Sequence, residues 1–282
     1  MYKIIGKKKL TSDIDRFEVE APLVARKAAA GQFVVIRVCE EGERIPLTIA
    51  DFDPDRGLIS LVSMIAGKTT SKLSRLEPGD SLTDVVGPLG KPSEIENFGN
   101  VVCVGGGVGI APVMPIARAL KQAGNYVVSI IGARNSQGLI LEKKMEEVSN
   151  RLFICTDDGS KGFGGFVSEF LDKFLKEESL SVDRVVAIGP APMMAAVSEV
   201  TRPYGIKTIV SLNSIMVDGT GMCGACRVEV GDETKFVCVD GPEFDGHQVN
   251  FKLLFARQKM YCTEEQKAHK DYQHECGCKS HG

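Results

Sequence analysis

The glycine-rich segment of residues 101–112 (VVCVGGGVGIAP) constrains the fold of this chain more than any other feature. A short apolar run leads into closely spaced glycines and then into a helical pattern that begins near Ala111. Glycines let a backbone approach a pyrophosphate, and a helix N-terminus carries partial positive charge toward it. The spacing departs from G-x-G-x-x-G, and no acidic residue follows about 20 residues later. The segment is therefore compatible with a dinucleotide site and also with a tight turn that binds nothing.

The sequence around this turn alternates between strand and helix patterns. Apolar runs at 101–104, 126–131, 152–156, 184–188 and 207–212 alternate with helical patterns at 111–123, 139–148, 166–175 and 192–201. Alternation at this spacing predicts a parallel sheet with crossover helices. We therefore expect an α/β nucleotide-binding domain over residues 98–212.

The segments on either side differ from this domain. Residues 1–97 carry many short strand patterns, such as 32–38 and 57–64, and few helical ones, which predicts a small β-barrel. Residues 213–282 are rich in glycine and cysteine at first, then helical near 250–260, and end in a polar tail that we expect to be loosely held. The predicted order is barrel, α/β domain and small C-terminal module.

Two motifs in the barrel region carry groups suited to phosphates. In Arg44-Ile45-Pro46-Leu47-Thr48, the guanidinium suits a diphosphate and the threonine hydroxyl suits a ring edge. Residues 67–71 (GKTTS) offer backbone N–H groups and hydroxyls to a phosphate. An ordinary turn and helix cap explains that second motif equally well.

The cysteine-rich loop gives the strongest local signal for a metal. Plant-type [2Fe–2S] sites follow C-x₄-C-x₂-C with a later cysteine. Cys223 and Cys226 form the x₂ pair, Cys238 is the later cysteine, and Asp218 stands where the first cysteine would be. Glycines around these residues fit a loop that directs N–H groups at cluster sulfurs.

Three interpretations of this loop compete. The first is a [2Fe–2S] cluster with Asp218 as fourth ligand, and the second takes Cys262, Cys276 or Cys278 as a distant fourth ligand. The third is a zinc site or a C-x-x-C redox pair. A zinc site usually requires two C-x₂-C ligand pairs, and only one is present, whereas a redox pair leaves Cys238 unexplained. We favour Asp218, because a carboxylate is an acceptable iron ligand.

Composition limits which partners this protein can bind and in which cellular compartment we expect it. The formal net charge is −3, so there is no basic excess to bind a nucleic acid. The N-terminus lacks a signal-peptide pattern, and the apolar stretch 101–117 is too short to span a bilayer. We therefore expect a cytoplasmic protein without a membrane partner. Outside the cluster motif, Cys39, Cys103 and Cys155 are predicted to be core residues. Cys276, Cys278 and His281 could bind a metal ion, but we favour a flexible tail without function.

These motifs, in this order, resemble the ferredoxin–NADP reductase superfamily. The chain is most similar to the branch with a C-terminal [2Fe–2S] module. That branch includes electron-transfer subunits of dihydroorotate dehydrogenases and small subunits of NADH-dependent reduced ferredoxin:NADP⁺ oxidoreductases, with Asp218 favouring the latter group. The resemblance covers the chain to about residue 260.

The resemblance implies a β-barrel FAD domain, an α/β parallel-sheet nucleotide-binding domain and a small [2Fe–2S] module. Its motifs match here residue by residue. For FAD they are Arg44, Pro46, Leu47, Thr48, Val62, Ser63, Met64, Gly67, Thr69 and Thr70. For NAD(H) they are Gly105, Gly106, Gly107, Gly109, Ala133, Arg134, Asp157, Asp158, Gly189, Pro190 and Met193.

The resemblance further implies an electron-transfer enzyme subunit in which no side chain acts as acid or base. Hydride would pass between NAD(H) and FAD, and single electrons would continue through the [2Fe–2S] cluster. The expected partner is a larger subunit with a second flavin and [4Fe–4S] clusters, forming a heterodimer that exchanges electrons with ferredoxin by bifurcation.

The alternatives are an electron-transfer subunit of a dihydroorotate dehydrogenase, a flavin-free metal-binding regulator, and polysulfide reduction as a side activity of the same subunit.

Overall fold

The computed structural model describes the backbone of residues 1–279 and the side chains of residues 1–273. Seven strands form an antiparallel, nearly closed barrel sheet in the order β6-β1-β2-β5-β4-β3-β7. The strands are β1 (Tyr2–Lys9), β2 (Ile14–Glu20), β3 (Phe33–Arg37), β4 (Arg44–Asp53), β5 (Leu58–Met64), β6 (Ser81–Leu82) and β7 (Asp84–Leu89), and the helices beside them are α1 (Pro22–Ala25) and α2 (Lys68–Leu73). The predicted barrel is confirmed.

The second half of the chain supplies nine strands and seven helices within the described residues. The strands are β8 (Asn100–Gly106), β9 (Tyr126–Ala133), β10 (Arg151–Thr156), β11 (Phe163–Gly164), β12 (Arg184–Ile188), β13 (Lys207–Ser211), β14 (Arg227–Val230), β15 (Glu233–Phe236) and β16 (Glu243–Asp245). The helices are α3 (Ile110–Gln122), α4 (Glu142–Val148), α5 (Val167–Glu177), α6 (Ala191–Thr201), α7 (Val237–Asp240), α8 (Phe251–Gln258) and α9 (Cys262–Lys279).

A parallel sheet follows the barrel, as the alternating pattern predicted. Its strand order is β11-β10-β9-β8-β12-β13-β16, and only β16 runs antiparallel to its neighbour. The central strand β8 is buried from Val101 to Gly106, because helices cover both faces of the sheet. The order reverses between β8 and β12, so the carboxyl ends of these two strands flank a crevice suited to a ligand.

The C-terminal module packs against the barrel and adds an edge strand to the parallel sheet. Strands β14 and β15 form an antiparallel hairpin, and β16 joins the edge of the parallel sheet. One hydrophobic cluster unites Phe33 and Val35 of the barrel with Val228 and Val237 of the module. Because the module and the barrel bury apolar side chains in the same core, this packing fixes the position of the module relative to the barrel.

The expectation of a loosely held tail is wrong for the part that the structure describes. Helix α9 begins at Cys262, and residues 262–275 contain neither glycine nor proline. The Tyr272 ring centroid lies 5.7 Å from Lys72 Nζ and 5.0 Å from Arg75 Cζ, so the helix rests against α2. The side chains of Cys276 and Cys278, and all of His281, lie outside the described residues.

A search of the described helices for membrane spans finds none with the length and apolar character that a bilayer requires.

Candidate cofactor sites

A cavity of about 1000 Å³ opens between the barrel, the parallel sheet and the C-terminal module. Its walls come from β4, β5 and the start of α2 on the barrel side, and from the turns after β8 and β12 on the other side. Residues 211–217 and the beginning of α9 complete the lining. A volume of this size suits a nucleotide cofactor rather than a small metabolite.

The structure brings together on this cavity all ten residues predicted for FAD. Strand β4 presents Arg44, Pro46, Leu47 and Thr48, because its pairing with β3 and β5 fixes its register. The end of β5 adds Val62, Ser63 and Met64, and the start of α2 adds Gly67, Thr69 and Thr70. Two adjacent antiparallel strands and one helix start therefore form a continuous wall.

The turn before α2 is organised by Thr70. Its hydroxyl accepts hydrogen bonds from the Ala66 and Gly67 N–H groups at 2.9 and 3.0 Å and lies 3.1 Å from the Gly67 carbonyl. The Thr69 hydroxyl donates to Glu43 at 2.9 Å. The helix-cap reading of residues 67–71 thus describes the local structure, and the same turn still lies on the cavity wall.

Two buried hydroxyls on the cavity lack a hydrogen-bond partner. The side chains are those of Ser63 on β5 and Ser214, which follows β13, and the residues are 5% and 9% exposed. Buried polar atoms are usually satisfied, and an unsatisfied hydroxyl costs about 1–3 kcal/mol. Two such atoms on one cavity fit an occupant that carries polar ring edges, as a flavin does.

The glycine turn brings β8, α3 and β12 into contact. A Cβ on Gly109 would lie 2.3 Å from the Ile188 carbonyl oxygen, and one on Gly106 would lie 2.3 Å from Met193 Sδ. Gly105 packs against Ile110, while Gly107 adopts a φ of +56° with open space around it. Close backbone approach therefore explains Gly109 directly, and Gly109 also lines the cavity.

The loops after β9 and β10 form the rest of this sheet edge. The Asp157 N–H donates to the Ala133 carbonyl at 3.1 Å, and the Asp158 N–H donates to the Arg134 carbonyl at 3.2 Å. Hydrogen bonds from Ser160 lower the pKa of the exposed Asp158 carboxyl. An arginine and two carboxylates thus lie on neighbouring loops at the carboxyl ends of the strands.

The turn after β12 faces the glycine turn across the crevice. Gly189 lines the cavity, and a Cβ there would lie 2.8 Å from the Met193 side chain and 3.2 Å from the Gly106 carbonyl oxygen. Pro190 immediately precedes α6. The two turns predicted to hold a dinucleotide therefore pack directly on each other.

The cysteine loop is held by Asp218. One carboxylate oxygen accepts the Thr220 N–H at 2.9 Å and the other accepts the Cys223 N–H at 3.0 Å. These hydrogen bonds, that of Thr220 first, lower the pKa of Asp218, because they stabilise the carboxylate form. Positive φ values at Gly219, Gly221 and Gly224 show why the loop is rich in glycine.

Two of the three cysteines are already paired in space. Cys226 Sγ and Cys238 Sγ lie 3.2 Å apart and are buried, whereas Cys223 is exposed. Burial, followed by the hydrogen bond with Cys226, raises the pKa of Cys238 to about 12. Metal binding would have to displace that proton, as thiolate ligation requires.

The four predicted ligands do not converge into one coordination sphere. Among the described residues, no three His, Cys, Asp or Glu side chains come close enough to hold a metal ion. The donor set of one carboxylate and three thiols nevertheless fits an iron–sulfur cluster, and all four donors lie within the short span 218–238. Exposure of Cys223 leaves one side of the loop open.

Part of the cavity lining was missed from the sequence. Residues 213–217 and the α9 residues Glu264, Glu265 and Ala268 all contribute. The composition of residues 262–275 favours a helix and could have predicted α9. The path of α9 along the cavity depends on its packing against α2, which the sequence does not reveal.

Comparisons with known proteins agree with this architecture. Residues 103–199 match an oxidoreductase NAD-binding domain, and residues 213–250 match the iron–sulfur cluster binding domain of dihydroorotate dehydrogenase B. The fold and these matches define a class of protein: an oxidoreductase with a ferredoxin–NADP reductase-like fold and a C-terminal iron–sulfur module.

Similarity to individual proteins extends over almost the whole chain. The homolog of the dihydroorotate dehydrogenase B (NAD⁺) electron transfer subunit from Thermotoga maritima is 49% identical, covering 93% of this chain and 92% of its own length. A Clostridium beijerinckii protein from the adh 3′ region is 48% identical, covering 100% of this chain and 97% of itself. The chain belongs to the family of dihydroorotate dehydrogenase B electron-transfer subunits and their homologues.

A solved structure gives the same result in three dimensions. A chain of the NADH-dependent reduced ferredoxin-NADP oxidoreductase, studied for flavin-based electron bifurcation, superposes with a TM-score of 0.92 at 47% identity. The match covers 97% of this chain and 98% of that one. The predicted family is confirmed, and so is the enzyme class: the chain is an NAD-dependent oxidoreductase subunit.

Proposed function

We propose that this chain is the flavin and iron–sulfur subunit of an electron-bifurcating NADH-dependent reduced ferredoxin:NADP⁺ oxidoreductase. FAD binds in the large cavity, NAD(H) at the sheet edge beside it, and a [2Fe–2S] cluster in the loop 218–238. Bound FAD would supply the conversion between two-electron hydride chemistry at NAD(H) and one-electron transfer to the cluster. The observation that carries this proposal is one continuous segment, residues 211–217, which lines the cavity and leads directly into Asp218.

The residues of the chain have distinct tasks in this proposal. Arg44 and the start of α2 bind the diphosphate, and Thr48 and Ser63 hydrogen-bond the flavin ring. Gly109 and Gly189 leave space for the nicotinamide next to that ring, since both line the same cavity. Hydride transfer requires such contact between the two rings.

The remaining predicted residues serve the dinucleotide and the cluster. Residues Gly105, Gly106, Gly107, Pro190 and Met193 shape the two turns, and Ala133, Arg134, Asp157 and Asp158 form the edge that receives the adenosine ribose. Cys223, Cys226, Cys238 and Asp218 hold the cluster. The exposed Cys223 marks the side from which electrons leave toward a partner.

The partner is a larger subunit that carries a second flavin and [4Fe–4S] clusters and that exchanges electrons with ferredoxin. Homologues of this chain are subunits, which supports a multisubunit assembly. Exposed apolar side chains surround the cysteine loop, with Met222 89% and Val217 52% exposed. Such a patch suits a protein interface.

The test is the absorption and EPR spectrum of the anaerobically purified chain beside Asp218→Cys and Asp218→Ala. A flavin band at about 450 nm is expected, together with a reduced [2Fe–2S] signal that changes in Asp218→Cys because thiolate replaces carboxylate on iron. A cluster signal unaltered in both variants would assign the fourth ligand elsewhere. Absence of flavin and cluster from the wild type would end the proposal.

A second candidate is the electron-transfer subunit of a dihydroorotate dehydrogenase. The family match of residues 213–250 and the named relatives support it. The complex purified from its native source distinguishes the two: dihydroorotate-dependent NAD⁺ reduction supports this candidate, and NADPH-dependent reduction of NAD⁺ together with ferredoxin supports the first.

A further inference from the structure

Ser214 is a buried hydroxyl that neither the resemblance nor the cluster motif explains. Its Oγ has no hydrogen-bond partner, and the residue is 9% exposed. Ser63, on the barrel wall of the same cavity, has an equally unpartnered Oγ. Since buried hydroxyls are almost always satisfied, two unsatisfied ones on one cavity indicate that its occupant supplies the partners.

The position of Ser214 in the chain gives it a special role among the lining residues. It lies between the end of β13 at Ser211 and Asp218, in a segment whose residues 213–217 all line the cavity. Ser63 reaches the cavity from β5 of the barrel instead. The two hydroxyls therefore approach the same space from different modules of the protein.

We propose that Ser214 is a flavin-positioning residue whose Oγ hydrogen-bonds the polar edge of the flavin ring, complementing Ser63 on the barrel. This inference rests on the proposed function and adds a contact from the iron–sulfur module to the flavin. The hydrogen bond fixes the ring relative to the segment that carries Asp218. It also stabilises negative charge that develops on the ring during reduction.

A bound water is the competing partner for Ser214. A second, small cavity of about 10 Å³ also touches this residue, between Arg227 and Arg257, and has room for about one water molecule. If that water satisfied the hydroxyl, Ser214 would contribute to folding and not to flavin binding. The two possibilities give opposite results when the hydroxyl is removed.

The experiment compares Ser214→Ala with Ser198→Ala in the full-length chain. Ser198 is a matched control, because its Oγ is fully buried but donates to the Met194 carbonyl at 2.8 Å on helix α6, and it does not line the cavity. Thermal unfolding of the FAD-stripped chain and FAD dissociation constants from fluorescence titration are measured for both variants. Binding of NADH is measured in parallel.

For Ser214→Ala we expect FAD to bind about threefold to tenfold more weakly, the effect of one hydrogen bond, while the unfolding temperature of the FAD-stripped chain stays equal or rises. Ser198→Ala should lower that temperature and leave FAD binding unchanged. Unchanged FAD affinity with a lowered unfolding temperature overturns the inference in favour of the water. Weaker NADH binding with unchanged FAD binding also overturns the inference, because Ser214 would then contact the nicotinamide instead of the flavin. A wild type that binds no FAD refutes the proposed function itself.

Discussion

Cys226 and Cys238 lie with their sulfur atoms 3.2 Å apart at the two ends of the β14–β15 hairpin. The hairpin pairs Arg227 with Phe236, so the residues that flank it are brought together by the sheet register. Both thiols sit in the hydrophobic cluster that joins the module to the rest of the protein. Half of the proposed ligand set is therefore positioned by ordinary packing.

Loss of either of these thiols should abolish cluster assembly. Cys238→Ala is expected to lower the bound iron to background, because the remaining donors cannot complete the coordination of two irons. Cys103→Ala is the control: Cys103 is fully buried in β8, and its loss should cost about 1 kcal/mol of stability without changing iron content. Iron and sulfide analysis of the two purified variants provides the measurement. Full iron occupancy in Cys238→Ala would contradict the assignment.

A methyl group on Gly109 should disrupt the turn between β8 and α3. The added Cβ would lie 2.3 Å from the Ile188 carbonyl oxygen, and the obstacle is backbone of strand β12 rather than a side chain that could rotate away. We expect Gly109→Ala to destabilise the protein by about 3 kcal/mol and to raise the KM for NADH. Urea unfolding and steady-state kinetics measure the two effects.

Gly205→Ala serves as the control for this substitution. Gly205 has a φ of +64° and open space within 4 Å, so only backbone strain of about 1 kcal/mol is expected, with an unchanged KM. Equal effects of the two substitutions would show that the close contact at Gly109 is unimportant.

The buried carboxyl of Glu243 should make the free energy of unfolding decrease as the pH rises. Burial raises the pKa of this carboxyl, although the Ser93 hydroxyl, which donates to it at 2.5 Å, and nearby Arg184 oppose the shift; Glu94 reinforces it. Between the ordinary and the raised pKa the folded chain keeps a proton that the unfolded chain has released. Stability contributed by the protonated form is therefore present at low pH and lost as the pH rises through this window.

Glu243→Gln tests this sign directly. The neutral amide should be more stable than the wild type at pH 8. The difference should shrink as the pH falls from the raised pKa toward the ordinary pKa of a glutamate, and it should vanish below about pH 4. Glu94→Gln should instead be less stable than the wild type at pH 8. The hydrogen bond with Arg184 lowers the pKa of Glu94, so the ionised carboxylate favours the folded state above the ordinary pKa of a glutamate. Urea unfolding midpoints across this pH range provide the comparison, and parallel curves for wild type and Glu243→Gln would reject the argument.

Helix α9 should slow the release of FAD. Its first turns line the cavity, and Tyr272 anchors it on Lys72 and Arg75 of the barrel side. Tyr272→Ala is expected to accelerate FAD dissociation about twofold to fivefold, because each exposed cation–π contact contributes about 0.5–1 kcal/mol. Tyr272→Phe keeps the ring and should resemble the wild type. Fluorescence recovery after dilution measures the rate, and identical behaviour of both variants would exclude the ring contact as the cause.

Much of this architecture follows from the sequence because it depends on local patterns. Alternating apolar and helical segments predicted the parallel sheet within a few residues at each boundary, and Arg44 and Thr48 were recognised from their motif. The glycine turn is local in the same sense, since strand, loop and helix are contiguous. Short segments of the sequence are therefore sufficient to predict the class of protein.

Only the tertiary structure decided which distant segments share a cavity. Ser63 and Ser214 are 151 residues apart in the chain, and they line the same cavity only because the barrel and the C-terminal module pack around it. The polar composition of residues 262–282 gave no indication that α9 crosses that space, since contacts of Tyr272 with α2 depend on the fold of both modules. Local periodicity determines the elements, whereas burial of shared apolar surface determines how they are assembled.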